Sequence, residues 1–123
     1  MSDYQDDIMG GLGAHIANVY GKLGAICAAL PVPIALPHGI VSNVEVIPAV
    51  RRVVELAEEI PLPSDQASQL LTSAIGLLAA IDLFGLLVQG DFHEVRALCA
   101  VANLMNADEA EAELLLWLTE QEG

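Results

Sequence analysis

The sequence predicts an all-α fold: a compact bundle of about five helices around one apolar central helix, in a single domain over residues 1–123. Three observations carry this. Apolar residues recur at alternating spacings of three and four over long stretches, which is the period of a helix face. Proline and glycine punctuate the chain at Pro31–Pro37, at Pro61 and Pro63, and at Gly90, where helices stop. No segment alternates apolar and polar residues for long enough to read as a strand.

The first helix is expected to begin near Asp6 or Asp7, acids that suit the positive end of the helix dipole, and to run until Pro31 forbids continuation. Its residues Met9, Leu12, Ile16, Val19, Leu23, Ile26 and Leu30 form a seam three heptads long. A second stripe, Gly10, Gly13, Ala17, Gly21, Gly24 and Ala28, lies about 140° around the same helix. Each glycine costs about 0.5–1 kcal/mol relative to alanine inside a helix, and close approach of a second backbone would offset that. Gly13, Ala17, Gly21 and Gly24 are therefore expected to form an interface between copies of this chain, in a homodimer or small homo-oligomer.

Residues 31–44, PVPIALPHGIVSNV, contain too many prolines to be helical at their start. They are expected to run extended, with Ile34, Leu36, Ile40 and Val41 pinned across the bundle rather than offered to a partner. The second helix is expected to start close to Pro48, which a first turn tolerates. Val50, Val53, Val54, Leu56, Ala57 and Ile60 supply its buried side, and Pro61 and Pro63 end it. Ser64 is then a good N-cap for the central helix.

That helix is built on Leu70–Gln89, LLTSAIGLLAAIDLFGLLVQ, a run broken by one charge, Asp82. Twenty residues rise about 30 Å, enough to cross a bilayer. Asp82 would then sit near mid-bilayer at a cost of about 2.5–3.5 kcal/mol, and the flanks lack the bases and aromatic anchors of a span. A buried helix covered on several sides is the expectation, with Leu71, Ala74, Leu78, Ile81, Gly85 and Val88 on one seam and Leu70, Leu77 and Phe84 on another. Asp82 is expected to face water, since unpaired burial is costly.

After Gly90, Asp91 and Glu94 have the spacing of a capping box. The fourth helix is expected to carry Phe92, Val95, Leu98, Cys99, Ala102 and Met105 inward. Asn106 with Glu109 repeats the device and would start a fifth helix, from Ala107 to about Glu120. Leu114 to Leu118 are consecutive and cover about 400° of that helix, so they cannot all face one core. Trp117 is the only tryptophan, a residue type enriched among those that dominate binding energy. Glu111, Glu113, Leu115, Leu116 and Trp117 are therefore the expected partner-binding surface.

Seventeen acids face four bases, for a formal charge of −13. Direct nucleic-acid binding is not expected on this ground, since phosphate contacts need Lys and Arg, and a basic protein surface is the favoured partner. Hydrophobic residues make up 54% of the chain and charged ones 17%, a surplus of apolar side chains over the usual composition. An interface is the ordinary destination for such a surplus. The acidic start MSDYQDD is unlike a secretory signal, so a cytoplasmic setting is expected, with Cys27 and Cys99 as buried, inert thiols.

No catalytic residue, metal ligand set or cofactor is expected from the sequence. Gly10-Gly11-Leu12-Gly13 lacks a preceding strand and a following Lys-Ser or Lys-Thr. His15, His38 and His93 lie on separate segments, with no pair at helical ligand spacing, and Ser42 and Ser64 belong to no nucleophile motif. The expectation is a non-enzymatic protein that acts by binding another protein, as an adaptor, regulator or inhibitor. The alternatives are a self-assembling structural or assembly protein, for example of a phage particle, and a small membrane protein spanning through 70–89. A membrane setting is not the expected one.

Overall fold

A computed structural model of the chain describes residues 2–39, 43–90 and 92–122. Within them the backbone forms four helices and no strand: α1 (Ser2–Ala29), α2 (Asn43–Leu56), α3 (Ser64–Gln89) and α4 (Glu94–Glu122). The all-helical class agrees with the sequence expectation, while the number of helices is four where about five were expected.

Most helix ends follow the punctuation. α1 stops at Ala29, ahead of Pro31, and α3 stops at Gln89, where Gly90 caps it by donating its N–H to the Leu86 carbonyl at 3.0 Å. The starts differ more. α1 begins at Ser2 rather than near Asp6 or Asp7, with Asp3 in its first turn, a placement that the positive end of the helix favours. α2 begins at Asn43, so Pro48 lies inside it with its ring exposed. Glu45 occupies that first turn, which favours a start ahead of the proline. Ser64 is the first residue of α3 rather than its cap; Pro63 holds the cap position, and no side chain bonds there. Asp91, Ile40, Val41 and Ser42 lie outside the described residues.

α3 is the centre. It packs against α1, α2 and α4, burying Leu70, Ala74, Leu77, Ala80 and Ile81. By length and composition alone it is also the one helix among the described residues that could cross a membrane. Its apolar residues are shared between three neighbouring helices and an outer side where Ile75, Leu86 and Val88 are exposed. Asp82 is exposed, as the cost of burying it alone requires.

The seam of α1 also behaves as its spacing predicts: Leu12, Val19, Leu23, Ile26 and Leu30 are buried, and Met9 and Ile16 are half-buried. On α2 and the turn after it, Val50, Val53, Ala57 and Ile60 are buried, with Val54 and Leu56 half-buried beside them. The proline-rich segment runs without regular structure and is tied to α1. Ile34 is buried and donates its N–H to the Cys27 carbonyl at 3.0 Å, while the Tyr20 hydroxyl donates to the Pro37 carbonyl. Leu36 is half-buried.

The largest departure is at the C-terminal end. Residues 94–122 form one continuous helix where two were expected, and Asn106 lies exposed in its middle. Neither Pro nor Gly occurs between Glu94 and Glu122, and the several alanines there are the best helix formers, so nothing stops propagation at Asn106.

Fusing the two segments fixes one rotational setting for both. The inward seam is Ala97, Ala100, Leu104, Ala107, Glu111, Leu114 and Leu118, an unbroken alternation of three and four, with Ala110 buried beside it. That setting turns Val95, Leu98, Cys99, Ala102 and Met105 outward, the reverse of the expectation for the fourth helix, with Phe92 half-buried just before it. Near Ala107 the inner face carries a small side chain because α3 comes close there. A Cβ on Gly76 would stand 2.8 Å from the Asn103 carbonyl oxygen and 3.3 Å from the Ala107 Cβ.

Candidate functional site

Three features of the folded chain are candidates for function, and the outward face of α4 is the most extensive. Val95, Leu98 and Met105 are 78%, 63% and 60% exposed, and Leu116, two turns beyond Glu109 on the same outward line, is 62% exposed. Val95, Leu98, Ala102, Met105, Glu109, Ala112 and Leu116 alternate at three and four, opposite the buried seam. From Val95 to Ala107 the only charged residue is Arg96. A nearly uncharged apolar stripe thus stands on the surface of a strongly acidic chain, and its large side chains are left open by the other described helices.

The expected partner-binding residues are divided by the fold. Leu116 and Glu113 are exposed, with Glu113 accepting a hydrogen bond from Gln69 Nε2 at 3.1 Å, while Leu115 and Trp117 are half-buried. Glu111 is a correction: its side chain is completely buried, because position 111 falls on the inner seam between Ala107 and Leu114. It cannot steer a partner from there.

The second feature is the small stripe of α1, which the rest of the described chain does not seal. A Cβ on Gly13 would touch Phe84 at 3.7 Å, whereas a Cβ on Gly21 or Gly24 would meet nothing within 4 Å. Gly13, Ala17 and Gly21, with Tyr20, Ile81 and Phe84, line an open, mainly apolar cavity of about 440 Å³.

The third feature is a polar cluster between α1 and α4 that no sequence motif marks. Asp108 takes His15 Nε2 on one carboxylate oxygen at 2.6 Å and Lys22 Nζ on the other at 2.7 Å. Lys22 also lies 3.6 Å from Glu111 Oε1. Desolvation pulls the Asp108 carboxyl upward, but the hydrogen bonds and charges of Lys22 and His15 outweigh it and hold the group below its ordinary value. The bond to Asp108 raises the Lys22 ammonium, against desolvation. Glu111 goes the other way: burial pushes its carboxyl up to about 8, opposed by the Lys22 charge and helped by that of Asp108.

Among the described residues no group of three or more His, Cys, Asp and Glu side chains could hold a metal ion. Cys27 is buried, and desolvation pushes its thiol up to about 12. Cys99 is exposed, which corrects the expectation of a second buried thiol and follows from the rotational setting of α4. The chain matches no protein-family model, no curated protein and no solved structure.

Proposed function

We propose that this chain is a non-enzymatic module that binds another protein through the outward face of α4. The observation that carries the reading is the stripe of Val95, Leu98, Ala102 and Met105, whose large members are more than half exposed. Contiguous exposed apolar surface marks interaction sites, and residues at this spacing are how a helix is presented to a groove or to another helix. Leu116, Glu113 and the half-buried Trp117 extend the surface toward the C-terminal end. The acids around it favour a partner with a basic rim, drawn in by charge and held by apolar contact.

Replacing Leu98 and Met105 together with Asp tests this. The double variant keeps its helical content and thermal midpoint but no longer retains the proteins that co-purify with the unaltered chain. Equal recovery of those proteins with both chains would refute the reading.

Self-association is a second reading, supported by the open space over Gly21 and Gly24. Gly21→Leu combined with Gly24→Leu then splits a homo-oligomer into monomers in sedimentation. An unaltered chain that sediments as a monomer at micromolar concentration rules this reading out.

A further inference from the structure

We propose that Glu111 is a proton-controlled lock on the contact between α1 and α4: carrying a proton it lets the two helices close, and ionised it opens them. The side chain is completely buried, and neither carboxyl oxygen has a hydrogen-bond partner. The cation nearest it, Lys22, is 3.6 Å away and already bonded at 2.7 Å to Asp108. One ammonium therefore faces two carboxylates. An ionised carboxylate buried without its own partner is costly, and a group so placed takes up a proton instead.

Among the described residues the surroundings offer no second cation. From α1, Lys22 and the buried Cys27 thiol face Glu111, and His15 bonds Asp108 rather than Glu111. From α4 itself the neighbouring charge is Asp108, which is repulsive. The two acids of α3, Asp65 and Asp82, are exposed, and α2 packs on α3 rather than on this contact. The upward displacement of the Glu111 carboxyl to about 8, driven mainly by burial, agrees with the geometry.

The folded chain then holds a proton that the opened chain releases. With an ordinary value of 4.5 and a folded value of about 8, the stabilisation is fully present below the first and is lost as pH rises through the second. Between the two, the opening equilibrium grows about tenfold per pH unit. This device is independent of what docks on the outward face of α4.

The test uses the full chain labelled with ¹³C at glutamate carboxyls. The Glu111 resonance, assigned by its absence in Glu111→Gln, is followed against pH, and hydrogen exchange is measured in α1 and α4 after correction for intrinsic base catalysis. The expected result is a Glu111 midpoint near neutrality or above, with opening of both helices increasing about tenfold per unit from about pH 5.5 to 7.5. In Glu111→Gln that increase disappears. A Glu111 midpoint in the ordinary carboxylate range overturns the proposal, as does an identical pH dependence in the two chains. Should Glu111→Gln fail to fold, the resonance is assigned in the unaltered, uniformly labelled chain by through-bond correlation of the carboxyl carbon to the Glu111 backbone, and its midpoint decides by the same criterion.

Discussion

The backbone carbonyl of Asn103 stands 2.8 Å from where a Cβ on Gly76 would be. This contact brings α3 and α4 close together where α4 carries Ala107, while Leu104 and Leu114 are buried on the same inner seam and Val95, Leu98 and Met105 face outward. Gly76→Ala should destabilise the fold by about 1–3 kcal/mol, since backbone atoms must move to admit the methyl group. Gly21→Ala should do the opposite, gaining about 0.5–1 kcal/mol of helix propensity with nothing to obstruct it. Denaturant midpoints of the two variants, compared with the unaltered chain, check both signs.

The rotational setting of α4 has its own test. Leu104 is fully buried and Leu98 is 63% exposed. Leu104→Ala should cost about 2–5 kcal/mol by leaving a cavity, while Leu98→Ala should fall within about 0.5 kcal/mol of neutral. Equal costs measured by urea unfolding would put Leu98 in the core and reverse the assignment of faces.

Thiol labelling separates the two cysteines. Cys99 is exposed, whereas Cys27 is buried with its thiol pushed up to about 12. A maleimide should modify one thiol per native chain and two in denaturant, with peptide mapping placing the native label on Cys99.

Acid stability should depend on Asp108. Its carboxyl lies below the ordinary value of 3.8, so its stabilising contribution is present above that value and is lost as pH falls through the lower folded one. Asp108→Asn should remove this part of the acid limb in thermal melts. At neutral pH the cost of breaking the Lys22 pair should be only about 0.2–1 kcal/mol, as expected of partly solvated pairs.

Much of the fold was legible because large apolar side chains at helical spacing record which way α1 and α3 face. Leu12, Val19, Leu23 and Ile26 lie where their spacing placed them. The face of α4 is not legible because the N-terminal half of its inner seam carries Ala97, Ala100 and Ala107 around Leu104, and side chains so small do not stand out against Val95, Leu98 and Met105. The close approach of Gly76 to Ala107 is a tertiary fact with no local signature. The same shift hid Glu111, which reads as one acid among several until the inner seam is continued through it. Lys22 and Asp108 are 86 positions apart, and no local pattern pairs them.

The most direct measurement places a photo-reactive amino acid at position 98, on the outward face of α4, and at position 58, exposed in the turn that follows α2, in separate chains. If α4 is the docking surface, illumination in the cell of origin gives discrete adducts with another protein from position 98 and none from position 58. Adducts from both positions alike, or none from position 98, would contradict it.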